Sequence, residues 1–267
     1  MGLCGGTRSM TNCDNTPVVL ITGAATGIGA ACARAFARSN WRVAITTLAA
    51  TTAEAEAVRA ECEAMGAAAL VVALDVTNDD NCRAVALEVE RHFGRLDGLV
   101  NCAGVTRFIP HADLEALPSS EFGRTNDVNV LGTFQMIRAC RGALERSGNG
   151  AIVNYSSIAG LSGVGSSVAY AASKGAVISL TLSMARALAP HIRVNAVAPG
   201  YVAGGLPSRV LEPAALAAVE AKYLETQPLK TLLQPDDIAA LTVFLVAGPA
   251  GITGEIIRMD NGLHLNG

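Results

Sequence analysis

Between residues 18 and 29 a short β-rich run, Val18-Val19-Leu20-Ile21, passes through Thr22-Gly23-Ala24-Ala25-Thr26-Gly27-Ile28-Gly29 into an alanine-rich stretch with helical spacing. A strand that turns at clustered glycines straight into a helix leaves few options. The glycines let the chain reverse sharply and bring its backbone close to whatever lies above the turn. The helix beginning near Gly27 aims unpaired N–H groups and its positive dipole end at the same place. Turns use glycine everywhere, so the cluster alone is weak, but between a β-run and a helix at the head of an α/β array it predicts a cradle for the pyrophosphate of a dinucleotide. The spacing, G-x-x-x-G-x-G, differs from the common G-x-G-x-x-G fingerprint.

The rest of the chain repeats that alternation. Strands are expected at Arg42 to Thr46, Leu70 to Leu74, Leu96 to Val100, Ala151 to Tyr155, Arg193 to Val197 and Ile256 to Met259. Helices are expected at Gly27 to Ser39, Ala53 to Met65, Asn81 to Phe93, Glu121 to Arg146 (one long helix) and Ala169 to Leu188. Strands alternating with helices of this length mean βαβ units, right-handed crossovers and an α/β fold with a single-domain, doubly wound Rossmann parallel sheet over residues 17–267. Residues 201–234, broken by Pro207, Pro213 and Pro228, interrupt it as an insertion near the strands' carboxyl ends, where a helical substrate lid is expected.

Composition excludes several alternatives. Hydrophobic residues make up 51% and charged residues 16%, with much of the apolar share in Ala and Gly. No stretch reaches the roughly 18 to 20 uninterrupted apolar residues of a membrane span. The excess fits a sheet buried on both faces, or faces buried between subunits. A formal charge of −3 gives no footprint for nucleic acid or anionic lipid. The seven cysteines (Cys4, Cys13, Cys32, Cys62, Cys82, Cys102 and Cys140) include no CxxC pair, which predicts small buried side chains in a reducing cytoplasm rather than a disulfide framework or zinc site. His92, His111, His191 and His264 are dispersed, and no metal is expected. Residues 1–16 lack the apolar core of a signal peptide and read as a flexible N-terminal extension.

Tyr170 and Lys174 lie four apart in a helical stretch, so their side chains rise on one face. Ser157 lies thirteen residues before Tyr170, just past the fifth strand. A lone Tyr-x-x-x-Lys is usually an exposed helix face, but with the glycine loop and this serine spacing it points to chemistry. Oxidising an alcohol requires removal of the hydroxyl proton as hydride leaves carbon, and reduction requires an acid for the forming alkoxide. Tyrosine's reference pKa, near 10, is too high for an efficient base at neutral pH, and a cation held close favours the phenolate.

With these residues, Asn101-Cys102-Ala103-Gly104 after the fourth strand, Asp75-Val76 ending the third, Pro199-Gly200 after the sixth, and later landmarks at Pro228-Leu229, Gln234-Pro235-Asp236-Asp237, Thr253-Gly254 and Asp260-Asn261-Gly262, the chain resembles the classical short-chain dehydrogenase/reductase family from Pro17 to Gly262. The resemblance implies an oxidoreductase moving a hydride between NAD(P)(H) and an alcohol/carbonyl pair. It makes Tyr170 the acid/base, with Ser157 holding the substrate oxygen, Lys174 binding the nicotinamide ribose and lowering the tyrosine's pKa, and Asn129 supporting a water that relays protons. It assigns the cofactor to Gly23, Thr26, Gly27, Ile28, Gly29, Thr47, Leu48, Asp75, Val76, Asn101, Ala103, Gly104, Pro199, Gly200 and Val202, besides Tyr170 and Lys174. It also implies a homotetramer with the 121–146 and 169–188 helices at one interface.

The position that binds the ribose 2′-hydroxyl of NAD through an acid is Thr47 here, followed by Leu48, and Thr26 stands where NADP-dependent relatives carry Arg or Lys. The missing acid favours NADP over NAD, with the hydroxyls of Thr46, Thr47 and Thr51, and Arg42, as candidate phosphate contacts. Gly204 replaces the family's nicotinamide-binding Thr, with Ser208 as a candidate substitute. The substrate is expected to be a small-molecule alcohol or ketone in an apolar pocket formed by residues 105–108, Ile158, Leu161, Val164, Tyr201, Leu206, Val210, Leu211 and Leu216, with Arg107 a candidate partner for a substrate anion. A 3-oxoacyl thioester is the commonest analogue; sugar, steroid or aromatic-alcohol dehydrogenation fits as well. A catalytically silent dinucleotide-binding regulator would share the fold, and a sugar-nucleotide epimerase or dehydratase would share the triad.

Overall fold

The computed structural model describes residues 15–205, 208 and 211–266, so Cys4, Cys13, Leu206, Val210 and nearly all of the expected N-terminal extension lie outside the described residues. Seven strands, β1 (Val18–Thr22), β2 (Arg42–Thr47), β3 (Ala69–Ala73), β4 (Gly98–Asn101), β5 (Gly150–Tyr155), β6 (Ile192–Pro199) and β7 (Ile256–Met259), form one sheet in the order β3-β2-β1-β4-β5-β6-β7. Every pairing is parallel. The strand order reverses between β1 and β4, and a crevice opens there beyond the carboxyl ends of the strands.

Each face of the sheet buries its own apolar core. Alternate side chains point opposite ways along a strand, so Val19 and Ile21 of β1 join one core while Val18 and Leu20 join the other. The first core is covered by α1 (Gly27–Arg38), α2 (Thr52–Ala64) and α9 (Pro235–Ala247). The second is covered by α3 (Asp79–Phe93), α5 (Thr133–Ser147) and α7 (Val168–Leu188). Both faces being dry explains why β1 reads as a continuous apolar run rather than an alternating one. At about 1.5–3 kcal/mol per fully buried aliphatic or aromatic side chain, the two cores supply the main stabilisation.

The helix expected over Glu121 to Arg146 is present but not uniform. It runs as α4 (Ser119–Asn126), a π-helical turn at Asp127–Gly132, and α5. Turns of this width occur mostly as single insertions within helices, often at functional sites. At 21 residues α7 is long and apolar enough to cross a bilayer by length and composition alone. It nevertheless packs against β5 and β6 and buries Ser173, Lys174 and Thr181, as a core helix does. Two further helices, α6 (Ile158–Ser162) and α9, escaped the sequence reading, and α8 (Pro213–Thr226) is the helix of the expected helical insertion. α8 lies inside the expected lid, and none of its residues is buried.

Candidate active site

The glycine loop forms as expected. Gly23 has φ +64°, and a Cβ on it would lie 2.9 Å from the Cα of Ala103, so loop and Asn101–Gly104 segment touch through backbone. The Thr22 hydroxyl reinforces this junction by accepting from the amides of Cys102 (3.0 Å) and Ala103 (2.9 Å). Thr26 is the N-cap of α1 in extended conformation, and its side chain makes no capping hydrogen bond. The first turn of α1 therefore faces the crevice.

A groove of about 430 Å³ runs along these elements. Gly23, Thr26, Gly27, Ile28, Thr47, Leu48, Asp75, Val76, Ala103, Gly104, Tyr170 and Lys174 line it. Pro199, Gly200 and Val202 instead line a larger neighbouring cavity of about 900 Å³, which meets the groove at Ile28, Ser156, Tyr170 and Gly205. Gly29 and Asn101 are buried and border neither. Asn101 donates to Asn154 Oδ1 at 2.9 Å, and Asn154 donates to Thr181 at 3.0 Å, a chain that steadies the centre of the sheet. The groove's lining fits a dinucleotide by its chemistry: the N-terminus of α1 for a pyrophosphate, the Asp75 carboxylate with apolar Leu48 and Val76, and the Lys174 ammonium as a donor.

Thr47 spends its hydroxyl close to home, donating to the Leu48 and Thr51 carbonyls (3.1 and 3.0 Å) and sharing a 2.7 Å contact with the Thr51 hydroxyl. Thr46 donates to the Ile21 carbonyl at 3.1 Å. Arg42, a candidate phosphate contact in the sequence, donates to the Phe93 carbonyl at 3.3 Å and borders neither cavity. It begins β2, at the end of the strand away from the crevice. The groove's cation besides Lys174 is Arg124 of α4, which donates to Glu121 at 3.3 Å and which sequence spacing did not single out.

Ser157, Tyr170 and Lys174 converge where groove and cavity meet. Ser157 follows β5 and caps α6, accepting from the Ala159 amide at 3.1 Å. Its hydroxyl donates to the Pro199 carbonyl at 3.5 Å and stands close enough to Tyr170 to influence its ionisation. Tyr170 stands at the floor of the cavity, surrounded by protein though partly open to the cavity. Burial pushes its pKa up to about 12, and the Ser157 hydroxyl pulls the other way. Burial is the largest influence on this hydroxyl. The Lys174 Nζ stands 5.5 Å from the centre of the Tyr170 ring and donates to the Tyr155 carbonyl at 2.8 Å. Burial brings the Lys174 pKa down to about 8. At neutral pH the site thus holds a protonated tyrosine beside an ammonium.

Asn129 sits in the π-helical turn, and its side chain makes three hydrogen bonds. Its Oδ1 accepts from the Val105 amide at 2.8 Å, and its Nδ2 donates to the Val105 carbonyl and Ser173 hydroxyl, each at 3.0 Å. The side chain clamps Val105 against Ser173 of α7. Gly204 has φ +66° and borders neither cavity; Gly205 borders both. The Ser208 hydroxyl donates to the Gly205 carbonyl at 2.7 Å, and Ser208 borders neither space.

Thr106, Phe108, Ile158, Val164, Tyr201 and Leu211 line the larger cavity as expected. Val105 borders the groove instead, while Arg107, Leu161 and Leu216 border neither space. Arg107 points its charge to solvent. The sequence missed the contributions of α8 (Val219, Lys222, Tyr223 and Thr226) and of the C-terminal turn (Leu263 and Asn266). Among the described residues no cluster of three or more His, Cys, Asp or Glu is arranged to hold a metal.

Comparison with known proteins agrees with this geometry. The family model described as Enoyl-(Acyl carrier protein) reductase matches residues 23–264. The chain is 36% identical over 255 residues, 96% of its length and 99% of the relative's, to a Streptomyces violaceoruber protein named as ketoacyl reductase 2 of the granaticin polyketide synthase. It is 34% identical over 252 residues, 94% of its length and 99% of the relative's, to the 3-oxoacyl-(acyl-carrier-protein) reductase of Staphylococcus aureus. A solved structure from Burkholderia xenovorans, described as a short-chain dehydrogenase/reductase, superposes with a TM-score of 0.88 at 46% identity, covering 94% of this chain and 98% of that one.

Proposed function

The chain is a nicotinamide-dependent oxidoreductase of the short-chain dehydrogenase/reductase family, and from that premise we propose that it reduces the ketone of a 3-oxoacyl thioester or similar apolar substrate, using NADPH. The observation that carries this reading is the neutral Tyr170 hydroxyl beside Ser157 at the junction of a dinucleotide-sized groove and an apolar cavity. A reductase needs an acid at that point, and burial keeps Tyr170 protonated until far above neutral pH.

The substrate oxygen would accept hydrogen bonds from both Ser157 and Tyr170, which fixes it within reach of the proton. Tyr170 then gives that proton to the oxygen as negative charge develops on it. The Lys174 ammonium, anchored on the Tyr155 carbonyl, offers a fixed positive charge beside the resulting phenolate and a donor for a ribose hydroxyl. Asn129 acts at one remove, by holding Val105 and the adjoining Gly104 in place. The nicotinamide, when bound, supplies the hydride.

Preference for NADP is supported by the absence of an acid at the end of β2 and by Arg124 in the groove. A homotetramer pairing α4–α5 and α7 with a second copy is supported by Phe122, Leu131 and Leu182, which expose apolar surface on those helices. A reducing, cytoplasmic setting is supported by Cys32, Cys62, Cys82, Cys102 and Cys140, all free thiols. We assign the 201–234 segment the role of a lid on the remaining Rossmann domain.

The test is a nicotinamide-absorbance screen, with NAD(P)H against 3-oxoacyl thioesters and NAD(P) against sugars, steroids and aromatic alcohols. Turnover of a 3-oxoacyl thioester is expected. Tyr170→Phe should lower that turnover by about 10²–10⁴-fold, the usual worth of a positioned acid, while dinucleotide affinity holds. Wild-type rates in Tyr170→Phe would overturn the mechanism. A hit confined to the alcohol panels would overturn the substrate assignment and the direction.

A further inference from the structure

The larger cavity carries one charge. Its walls come from the loop after β4, from α6 and the residues beyond it, from the segment after β6, and from α8 and the C-terminal turn. Along α8 the residues facing it are Val219, Lys222, Tyr223 and Thr226, the i, i+3, i+4, i+7 spacing of a single helix face. Lys222 is the sole Asp, Glu, Lys or Arg among the residues lining the cavity. Its Nζ makes no hydrogen bond or ion pair among the described residues; its main-chain carbonyl accepts from Thr226.

Lys222 is exposed, and its neighbours tie the helix that carries it to the rest of the cavity wall. Tyr223 stacks on Tyr201, with ring centres 4.8 Å apart and planes 23° apart, which ties α8 to the segment after β6. The Tyr201 hydroxyl donates to Glu220 at 2.8 Å, so the acid two residues away is already engaged. Arg107, exposed on the loop after β4, is not among the residues that line the cavity.

An ammonium in a cavity whose other lining side chains are uncharged discriminates between substrates. A neutral apolar group that covered it would strip its water and return nothing. An anionic oxygen compensates that loss, and the attraction strengthens as the substrate itself excludes water. We propose that Lys222 is the anion-recognising residue of this cavity, so that the preferred substrate is a carbonyl compound whose apolar body ends in an anionic oxygen group. This rests on the reading of the cavity as the substrate site of a carbonyl reductase.

Two matched pairs test it: an oxo fatty acid against its methyl ester, and a 3-oxoacyl pantetheine against its phosphorylated form. Within at least one pair the anionic member should show a KM lower by about five- to tenfold, the range of a partly exposed ion pair. Lys222→Met should remove that difference by raising the anionic member's KM, with kcat little changed, and Lys222→Arg should keep it. The pair that responds tells a free acid from a phosphopantetheine thioester. Equal KM values within both pairs, or a preference that survives Lys222→Met, would overturn the proposal. Calorimetric titration of the cofactor-loaded protein with a non-reacting fatty carboxylate and the matching alcohol gives a readout free of turnover. Carboxylate binding that depends on Lys222 without any carbonyl reduction would sink the reductase reading and keep the anion site. Reduction indifferent to charge would do the reverse.

Discussion

Lys174 reaches from α7 to the carboxyl end of β5, where its ammonium donates to the Tyr155 carbonyl at 2.8 Å. That single bond holds the cation beside Tyr170, and the Ser156 hydroxyl adds a second stitch by donating to the Lys174 carbonyl at 2.8 Å. The two elements that bear the chemistry are thus locked at one point.

The lock costs stability. Burial lowers the Lys174 pKa from 10.5 to about 8, so between those values the folded chain binds fewer protons than the unfolded chain and stability rises with pH. Below about pH 8 the buried ammonium is a full penalty. Lys174→Met should therefore unfold at higher urea than the parent near pH 7, by on the order of 1–2 kcal/mol after loss of the Tyr155 hydrogen bond is counted. The margin should shrink as pH approaches 10.5. Turnover should be lost at every pH. Equilibrium unfolding at several pH values measures it; a Met variant less stable at neutral pH would show that the hydrogen bond outweighs the burial.

Asn129 offers the opposite case, a polar side chain whose loss is all cost. Asn129→Ala leaves the Val105 amide and carbonyl without their partner in a half-buried setting. The expected loss is about 2–3 kcal/mol of unfolding free energy, together with weaker dinucleotide binding as Gly104 loosens. Asn129→Asp keeps the acceptor for the Val105 amide and should fall between the two. Urea titration with and without cofactor separates the effects. An Ala variant of unchanged stability would mean that water satisfies Val105.

The clamp also shows what sequence could and could not supply. β1, the glycine loop and α1 were legible because a strand buried on both faces, a turn and an alanine-rich helix differ sharply in local pattern. β7 was placed to the residue at Ile256–Met259 for the same reason. α9 was not, although Pro235 at its start and Asp236 and Asp237 in its first turn are helix-opening signals. Its body, Ile238 to Ala247, is apolar nearly all round, so no 3.6-residue period stands out. α6 has five residues, too few for a period. α8 is alanine-rich on every side, which hid Lys222 on its cavity face. Asn129 was found through its family position, but its partner lies 24 residues away across a π-helical turn, and no local rule predicts that register.

The proposed preference for NADP rests on the end of β2. Thr47 and Thr51 present hydroxyls there, engaged with each other at 2.7 Å, and neither position carries a carboxylate. Thr47→Asp should place an acceptor for a ribose 2′-hydroxyl and a charge against a 2′-phosphate. The ratio of kcat/KM for NADPH to that for NADH should fall by about tenfold or more, equivalent to about 1.4 kcal/mol. An unchanged ratio would mean that Arg124, or another contact, sets the preference.

Gly204 tests whether restoring a family residue restores its function. The backbone there has φ +66°, and nothing lies within 4 Å of where a Cβ would sit, so any penalty comes from backbone conformation and not from a clash. A β-branched residue in the left-handed region costs roughly 1–2 kcal/mol. Gly204→Thr should therefore either lower the melting temperature or pull the 203–205 turn out of shape. In neither case should it tighten dinucleotide binding, because position 204 borders neither groove nor cavity, whereas Gly205 borders both. Differential scanning calorimetry with and without NADPH measures both effects. A Thr variant that binds more tightly and melts no lower would show that the turn changes conformation when the cofactor arrives, and that the glycine had replaced a contact still available to the fold.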